Sequence, residues 1–290
     1  MTDLKEMKLV DIAKMAKLSS SKIAFANTIT KNQLLKTIAD ALDANKEIIF
    51  AANNLDLQKA YQMVQEGSLS KALYKRLTMT ENKFREMVNG VRDILKLEDP
   101  IGKLQYHMQL DEGLILKRLS CPIGVIGVIF ESRPDVVVQI SSLAIKSGNA
   151  VILKGGAEAI NTNKALVKII TQTIEEFGEF PQNVINLITT REEVKEMLAL
   201  SDYIDLIIPR GSNDFVKYIQ NNTKISVLGH SEGICHIYVD EDVDLDLATK
   251  VCLDSKIEYP AACNAVETIL VNENIANQFS NIAFVIDDKD

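Results

Sequence analysis

The sequence predicts an α/β fold in which helices cover both faces of a doubly wound parallel sheet. Short apolar runs alternate with amphipathic stretches between Pro122 and Leu228. Apolar runs of this kind are typical of parallel strands that are buried on both faces and joined by helical connections. The predicted strands are 124–130, 150–153, 184–187, 204–208 and 225–228, and the predicted helices are 134–147, 157–177, 191–200 and 211–221.

The first hundred residues have a different pattern, with mainly helical periodicity. Thr80 stands where a helix N-cap is expected, and the pair Asn53-Asn54 predicts another helix start. We expect these helices to serve packing and not chemistry.

Residues 104–119 predict a β-hairpin. Two extended runs flank the segment 111–113, whose glycine suits a turn that needs positive φ. A hairpin in an otherwise α/β chain is usually a structural arm, and pairing with a strand of another subunit is a reasonable use for it.

Composition excludes several function classes. The chain has 290 residues and a formal net charge of −8, which argues against a nucleic-acid binder with a basic face. Its four cysteines form no C-x-x-C pair and it has three histidines, so we expect no metal site and a reducing compartment. The first residues have no secretory pattern, and no apolar run is long enough to cross a bilayer. These features predict a cytoplasmic protein with no membrane partner.

Three predicted strands end in segments that suit ligand binding. Parallel sheets bind ligands where loops leave the carboxyl ends of their strands. The first segment, 130–134, places Glu131, Ser132 and Arg133 just before Pro134, which suits the first turn of a helix.

The other two segments combine a cation with glycine. Lys154 precedes Gly155 and a second glycine, so the backbone would let a ligand approach while the lysine holds a phosphate or a ribose. Arg210 precedes Gly211 and Ser212 at a predicted helix start, where free N–H groups favour an anion such as a pyrophosphate. Each segment alone fits plain turn chemistry, and no G-x-G-x-x-G motif is present.

Cys263 is the candidate nucleophile. It lies among small residues after Pro260, which ends a helical pattern, and before a predicted strand at 268–271. Free cysteine more often acts as a small buried hydrophobe. We expect that role for the other three, Cys121, Cys235 and Cys252.

Five segments together resemble the γ-glutamyl phosphate reductase family, also called the glutamate-5-semialdehyde dehydrogenases. They are 121–135, 147–156, 208–213, 228–230 and 259–264, which contain the sequences Glu-Ser-Arg-Pro, Leu-Lys-Gly-Gly, Pro-Arg-Gly-Ser-Asn, Leu-Gly-His and Pro-Ala-Ala-Cys-Asn. The resemblance implies an aldehyde dehydrogenase fold. It also implies reduction of a small acyl phosphate, L-glutamyl 5-phosphate, to L-glutamate 5-semialdehyde with NADPH in proline biosynthesis.

The resemblance assigns roles to the matching positions. It implies that Cys263 is the nucleophile, which forms a thioester as phosphate leaves, and that Ser132 stands where related enzymes have an oxyanion-binding asparagine. For the cofactor it implies Lys154 near the adenosine ribose and Gly211 and Ser212 near the pyrophosphate. The other positions expected at the cofactor are Glu131, Gly155, Arg210 and Gly229, and those expected at the leaving phosphate are Arg133 and His230.

One position departs from the oxidative relatives. Val227 aligns with the glutamate that serves there as a general base. An acyl-phosphate reductase must keep water from its thioester, so the loss of this base suits the reductase. An oxidative aldehyde dehydrogenase is therefore disfavoured.

The domain prediction follows the same resemblance. Residues 1–103 and 120–229 are expected to form the dinucleotide-binding domain, 104–119 an oligomerisation hairpin, and 230–290 a C-terminally truncated catalytic domain. Relatives have more chain after the cysteine, so we expect a homo-oligomer that is impaired here. The alternative is an inactive remnant that serves only as a dinucleotide-binding or interaction module.

Overall fold

The computed structural model describes residues 7–229, 233–258, 260 and 264–283. The chain divides into two compact units, Met1–His230 and Ser231–Asp290. We call them the first and the second unit and describe each by itself. No helix in the described part of the chain is long and apolar enough to span a membrane.

The first unit is built on a five-stranded parallel sheet, as predicted. Its strands are β3 (Val125–Ile129), β4 (Ala150–Lys154), β5 (Ile185–Ile188), β6 (Leu206–Pro209) and β7 (Ser226–Val227). Their order is β5-β4-β3-β6-β7, so the chain winds outward from β3 in one direction and then crosses back to β6. Nearly all residues of β3, β4 and β5 are buried, because helices cover both faces.

The connecting helices agree with the predicted ones within a few residues. They are α6 (Asp135–Lys146), α7 (Ile160–Phe177), α8 (Arg191–Met197) and α9 (Asn213–Asn221), and a short 3₁₀ turn (Ala157–Ala159) precedes α7. Helix α9 begins two residues later than predicted, because Ser212 takes an extended conformation and caps it.

Five helices precede the sheet. They are α1 (Leu9–Ile23), α2 (Thr28–Ala44), α3 (Lys46–Gln65), α4 (Lys71–Leu77) and α5 (Glu81–Lys96). Thr80 caps α5 by accepting from the Lys83 N–H, as predicted. The predicted helix start at Asn53-Asn54 is wrong, because both residues lie inside α3. Asn53 is buried there and bonds to the backbone of Leu77 and Met79, which a sequence pattern does not reveal.

The hairpin is present as β1 (Leu104–Asp111) and β2 (Leu114–Leu119), which pair antiparallel. Gly113 has φ +74° at its turn, as expected from the sequence. Every residue of both strands is exposed. A two-stranded ribbon with two open faces has little apolar burial of its own to stabilise it.

The amino edge of the five-stranded sheet is held by Asp205. Its Oδ2 accepts from the Val125 N–H at 2.8 Å, and Lys17 Nζ of α1 lies 2.6 and 2.7 Å from its two carboxylate oxygens. Gly124 has φ +125° here, and a Cβ at this residue would lie 2.1 Å from Asp205 Oδ2. Its N–H donates to Asn149 Oδ1 at 2.9 Å. The start of β3 is thus fixed by bonds to Asn149 and Asp205, and Lys17 in turn holds Asp205.

The second unit is small. Its strands β8 (Cys235–Val239) and β9 (Val266–Val271) pair in parallel, and its helices are α10 (Leu245–Ile257) and α11 (Ala276–Ala283). Val239, Ala248, Cys252 and Phe279 form its core. Asp244 caps α10 by accepting from two backbone N–H groups.

Candidate functional site: the carboxyl edge of the sheet

The three predicted strand-end segments of the first unit meet at one edge. Ile129 at the end of β3 pairs with Lys154 on one side and with Pro209 on the other. The Phe130 N–H donates to the Lys154 carbonyl at 3.0 Å, and the Arg210 N–H donates to the Ile129 carbonyl at 2.8 Å. The loops after β3, β4 and β6 therefore leave the sheet side by side.

The sheet order also gives this edge a crevice. The connection from β3 goes to β4, whereas β6 is reached by crossing back from β5. Loops that leave β3 and β6 consequently diverge, and doubly wound sheets bind ligands at such a point. Glu131, Ser132 and Arg133 lie on one of these loops, and Arg210 and Gly211 lie on the other.

Lys154 is the cation at this edge. It is the last residue of β4, it is partly buried, and its Nζ forms no hydrogen bond or ion pair with any described residue. Burial lowers the pKa of the Lys154 amine below its ordinary value, and the nearby Glu158 carboxylate partly offsets this effect. A half-buried, unpaired ammonium group is well suited to attract an anionic ligand.

Ser132 is the residue that the resemblance assigns to the oxyanion. It is 2% exposed, with φ +42°, and both its N–H and its Oγ–H donate to Glu158 Oε1 at 2.7 Å. Both donors are therefore taken by a carboxylate, and neither is directed to a substrate oxyanion. A serine in this strained conformation persists because the two bonds hold it there.

The reason given for the glycines after Lys154 needs correction. A Cβ at Gly155 would lie 2.1 Å from Asn163 Nδ2, and a Cβ at Gly156 would lie 2.0 Å from Glu158 Oε1. Side chains of this protein fill the space that we expected a ligand to approach. The two glycines are needed so that Asn163 and Glu158 can pack over the loop.

Two helix N-termini near this edge differ in what caps them. At α7, both oxygens of the buried Asp56 carboxylate accept from the backbone and side chains of Asn161 and Thr162, at 2.6–3.1 Å. At α9, the cap is the neutral hydroxyl of Ser212, which accepts from the Phe215 N–H at 3.4 Å. Asp56 offsets the positive end of the α7 dipole, while the α9 end has no such offset from its cap. The first turn of α9 does contain the acidic Asp214, so this end is not free of negative charge, but its cap adds none.

The remaining cofactor candidates are spread around α9. Glu131 and Arg210 are exposed, and Glu131 Oε1 would lie 3.4 Å from a Cβ at Gly211. A Cβ at Gly229 would lie 2.7 Å from Val216 Cγ1, so this glycine allows the segment after β7 to pack on α9. We infer that Gly229 acts through packing and not through a ligand contact.

The candidates for the leaving phosphate and for catalysis are only partly described. Arg133 is exposed and forms an ion pair with Asp135 at 3.0 Å. His230 and Cys263 lie outside the described residues, so their assignments stay predictions.

The prediction for the other cysteines was right for one of them. Cys252 is 4% exposed, and burial raises the pKa of its thiol. Cys235 is only partly buried, and Cys121 is exposed. The prediction that Cys121 is buried was wrong, although this residue does lie between the hairpin and β3, as expected.

Sequence reasoning missed Glu158, Arg191 and Asp56. Glu158 lies four residues after Lys154, and its position in the Lys-Gly-Gly-Ala-Glu run was the available signal. Arg191 is the first residue of α8, directly after a capping box formed by Thr190 and Glu193. A fourth strand end, that of β5, therefore also carries a cation at this edge.

Two surface hollows lie elsewhere in the first unit. One of ≈ 400 Å³ is lined by residues of the α1–α2 turn and by 178–181, and one of ≈ 620 Å³ is lined by residues of α3 and Tyr74. Neither contains a predicted site residue. Among the described residues, no group of His, Cys, Asp and Glu is arranged to hold a metal ion.

Comparison with known proteins settles the family. The model of the aldehyde dehydrogenase family matches residues 2–284. The chain belongs to this family. The predicted aldehyde dehydrogenase-like α/β fold with a parallel sheet is thereby confirmed.

The similar proteins belong by name to the family that the five segments resemble. Gamma-glutamyl phosphate reductase of Brachyspira hyodysenteriae is 55% identical over 273 residues, which is 94% of this chain and 63% of that protein. The crystal structure of gamma-glutamyl phosphate reductase from Thermotoga maritima is 36% identical with a TM-score of 0.90, and the match covers 96% of this chain and 66% of that one. The chain thus spans about six tenths of the curated relative it matches.

A more distant structure shares the fold. Glyceraldehyde-3-phosphate dehydrogenase GapN from Methanocaldococcus jannaschii, complexed with NADP, is 19% identical with a TM-score of 0.59. The match covers 95% of this chain and 57% of that one.

Proposed function

We propose that this chain takes part in the NADPH-dependent reduction of L-glutamyl 5-phosphate to L-glutamate 5-semialdehyde, with release of phosphate, in proline biosynthesis. The names of relatives at 50–55% identity support the reaction. The observation that carries the proposal is the carboxyl edge of the sheet, where Lys154 is left unpaired beside the neutral-capped start of α9.

The residues at this edge fit an adenine dinucleotide. Lys154 would hold the adenosine ribose or its phosphate, and the first turn of α9 with Gly211 and Ser212 would hold the pyrophosphate. Arg210 is exposed on the same loop and would add a second positive charge. When bound, NADPH supplies the hydride that reduces the acyl group.

The proposed role of Cys263 is to form the covalent intermediate. Its thiolate attacks the acyl carbon, a C–S bond forms, the C–O bond to phosphate breaks, and phosphate leaves with the bonding electrons. Arg133 and His230 would neutralise that phosphate. Among the described residues, the exposed Arg133 forms a surface ion pair with Asp135.

Protection of this intermediate from water is the second requirement. Val227 lies in β7, where it is partly buried, and it offers no carboxylate to activate a water molecule.

The test is the reverse reaction with L-glutamate 5-semialdehyde, phosphate and NADP, followed by the appearance of NADPH. We expect turnover by the chain, loss of turnover in Cys263→Ala with NADPH affinity retained, and normal turnover in Cys121→Ala. Cys121 is the matched control because it is an exposed cysteine of the first unit. NADPH binding without turnover by the unmodified chain would reject the reductase and leave a dinucleotide-binding module.

We also propose that the β1–β2 hairpin is the assembly arm of a homo-oligomer and pairs with a second copy of the chain, in an assembly that we expect to be weakened in this chain. Its apolar side chains are exposed on both faces, with Leu104, Leu110 and Leu114 between 52% and 57% exposed. Sedimentation velocity of the chain and of a Leu110→Asp variant would test this role. The same sedimentation coefficient for both would reject it.

A further inference from the structure

We infer that Arg191 and Lys154 together form the binding site for the 2′-phosphate of the dinucleotide, and that this pair makes the chain select NADPH over NADH. The inference rests on the proposed dinucleotide site and names the residues that would give it specificity.

The two cations come from neighbouring strand ends. Lys154 ends β4 and pairs in register with Ile188, the last residue of β5. Arg191 begins α8, three residues further along the chain. Since β4 and β5 are adjacent and parallel, the first turn of α8 leaves the sheet next to the loop that follows Lys154.

Neither cation has a hydrogen-bond or ion-pair partner among the described residues. Arg191 is exposed, and the side chains of Arg191 and Lys154 form no hydrogen bond or ion pair with any described residue. After burial, the charges on Glu158 and Arg191 have the largest effects on the pKa of Lys154, and that of Arg191 lowers it. Two cations that repel each other bind a phosphate between them more strongly than either would alone.

The carboxylate best placed to prefer NADH is occupied. In dinucleotide-binding folds an acidic residue takes the ribose 2′-hydroxyl of NAD, whereas a nearby arginine accommodates the 2′-phosphate of NADP. Here Glu158 Oε1 already accepts two hydrogen bonds from Ser132 at 2.7 Å. Glu158 is thus held by the protein instead of being offered to a ribose.

A second carboxylate near the pair is occupied in the same way. Glu193 Oε2 accepts from the N–H groups of Thr189 and Thr190 and from Thr190 Oγ1, at 2.7–2.9 Å. Glu131 also lies close enough to affect Lys154, but it is exposed on the loop after β3. Donors of the protein thus occupy one oxygen each of Glu158 and Glu193, while Lys154 and Arg191 have no partner among the described residues.

The inference is tested by calorimetric titration of the full chain with four ligands. NADPH and adenosine 2′,5′-bisphosphate carry the 2′-phosphate, while NADH and 5′-AMP lack it. The variants are Arg191→Gln, Arg191→Lys and, as a matched control, Lys195→Gln, which removes an exposed positive charge from the same helix.

We expect Arg191→Gln to weaken NADPH and adenosine 2′,5′-bisphosphate by about tenfold to hundredfold, as for the loss of a charged hydrogen bond. Binding of NADH and 5′-AMP should change by less than about twofold, because a distant exposed charge is screened. Arg191→Lys should recover part of the loss, and Lys195→Gln should match the unmodified chain. Circular dichroism melting should show the same Tm for all variants.

Two results separate the failure of this inference from that of the proposed function. If the unmodified chain binds no dinucleotide, the dinucleotide site is rejected, and the specificity pair with it. If it binds dinucleotides but Arg191→Gln weakens both ligand classes equally, or weakens neither, the specificity pair alone is rejected.

Discussion

The two edges of the five-stranded sheet differ in whether their charged side chains are paired. At the amino edge, Lys17 and Asp205 lie in contact, and Asp205 also accepts from the backbone of β3. At the carboxyl edge, Lys154 and Arg191 have no partner among the described residues. The same sheet therefore ends in a satisfied network on one side and in unpaired cations on the other.

This difference separates stability from binding. Charges that are paired and bonded to backbone contribute to the free energy of unfolding, because removing one partner leaves a buried group unsatisfied. Unpaired cations contribute little to folding and are available to a ligand. Substitutions at the amino edge should therefore destabilise the fold, and those at the carboxyl edge should weaken cofactor binding.

The largest effect is expected for Gly124→Ala. The new Cβ would lie 2.1 Å from Asp205 Oδ2, at a φ of +125° that L residues rarely adopt. We expect the free energy of unfolding to fall by about 3 kcal/mol in urea denaturation. Gly90→Ala in α5 is the control, since nothing lies within 4 Å of its Cβ, and it should stabilise by about 0.5 kcal/mol. Equal midpoints for both variants would falsify this view of the amino edge.

Asp205→Ala should have the next largest effect. It leaves the N–H of the fully buried Val125 without its acceptor and Lys17 without its partner. The expected loss in the free energy of unfolding is about 2 kcal/mol. Asp202→Ala removes an exposed carboxylate three residues earlier and should cost less than about 0.5 kcal/mol. If Asp205→Ala weakens NADPH binding but leaves the urea midpoint unchanged, the contrast between the two edges of the sheet is wrong.

Lys154→Ala should weaken NADPH binding and leave the stability of the fold unchanged. Loss of one unpaired cation should weaken NADPH by about tenfold, or about 1.4 kcal/mol, in titration calorimetry. The urea midpoint should stay close to that of the unmodified chain, because no described group loses a partner. Lys164→Ala, which removes an exposed lysine of α7, is the control for a general charge effect. Unchanged NADPH affinity in Lys154→Ala would remove this lysine from the site.

The smallest effect is a pH dependence of binding. Burial lowers the pKa of Lys154 below the ordinary 10.5, and the protonated amine is the form that binds phosphate. NADPH affinity should therefore fall as pH rises through this lowered pKa, at a lower pH than for an exposed lysine. Lys154→Arg should remove this decline, because arginine stays protonated. A decline that is identical in both proteins would assign it to another group.

Local patterns predicted the elements of the first unit well. Strands β3 and β4 lie within one residue of their predicted ends, because their apolar runs have no polar interruption. Boundaries differed where a side chain capped a helix, as Ser212 does at α9. Asn53 was misread for a similar reason, since its bonds reach residues 24 and 26 positions away.

The sequence predicted where the candidate residues lie better than it predicted what their side chains contact. The loops after β3, β4 and β6 do meet at one edge, since parallel strands place their carboxyl ends together. Ser132 was assigned an oxyanion role, but its donors go to Glu158, 26 residues further along the chain. Cys121 was expected to be buried, yet it is exposed in the segment before β3.

The sequence by itself determined the family, the order of strands and helices along the chain, and the loops that meet at the carboxyl edge of the sheet. It did so because hydrophobic periodicity and short motifs depend on residues that are close along the chain. Tertiary structure alone decided which charges are paired, such as Lys17 with Asp205 across 188 residues, and which are left open, such as Arg191 beside Lys154. Pairing depends on distances between elements, and those distances are set by packing of the whole sheet and its helices.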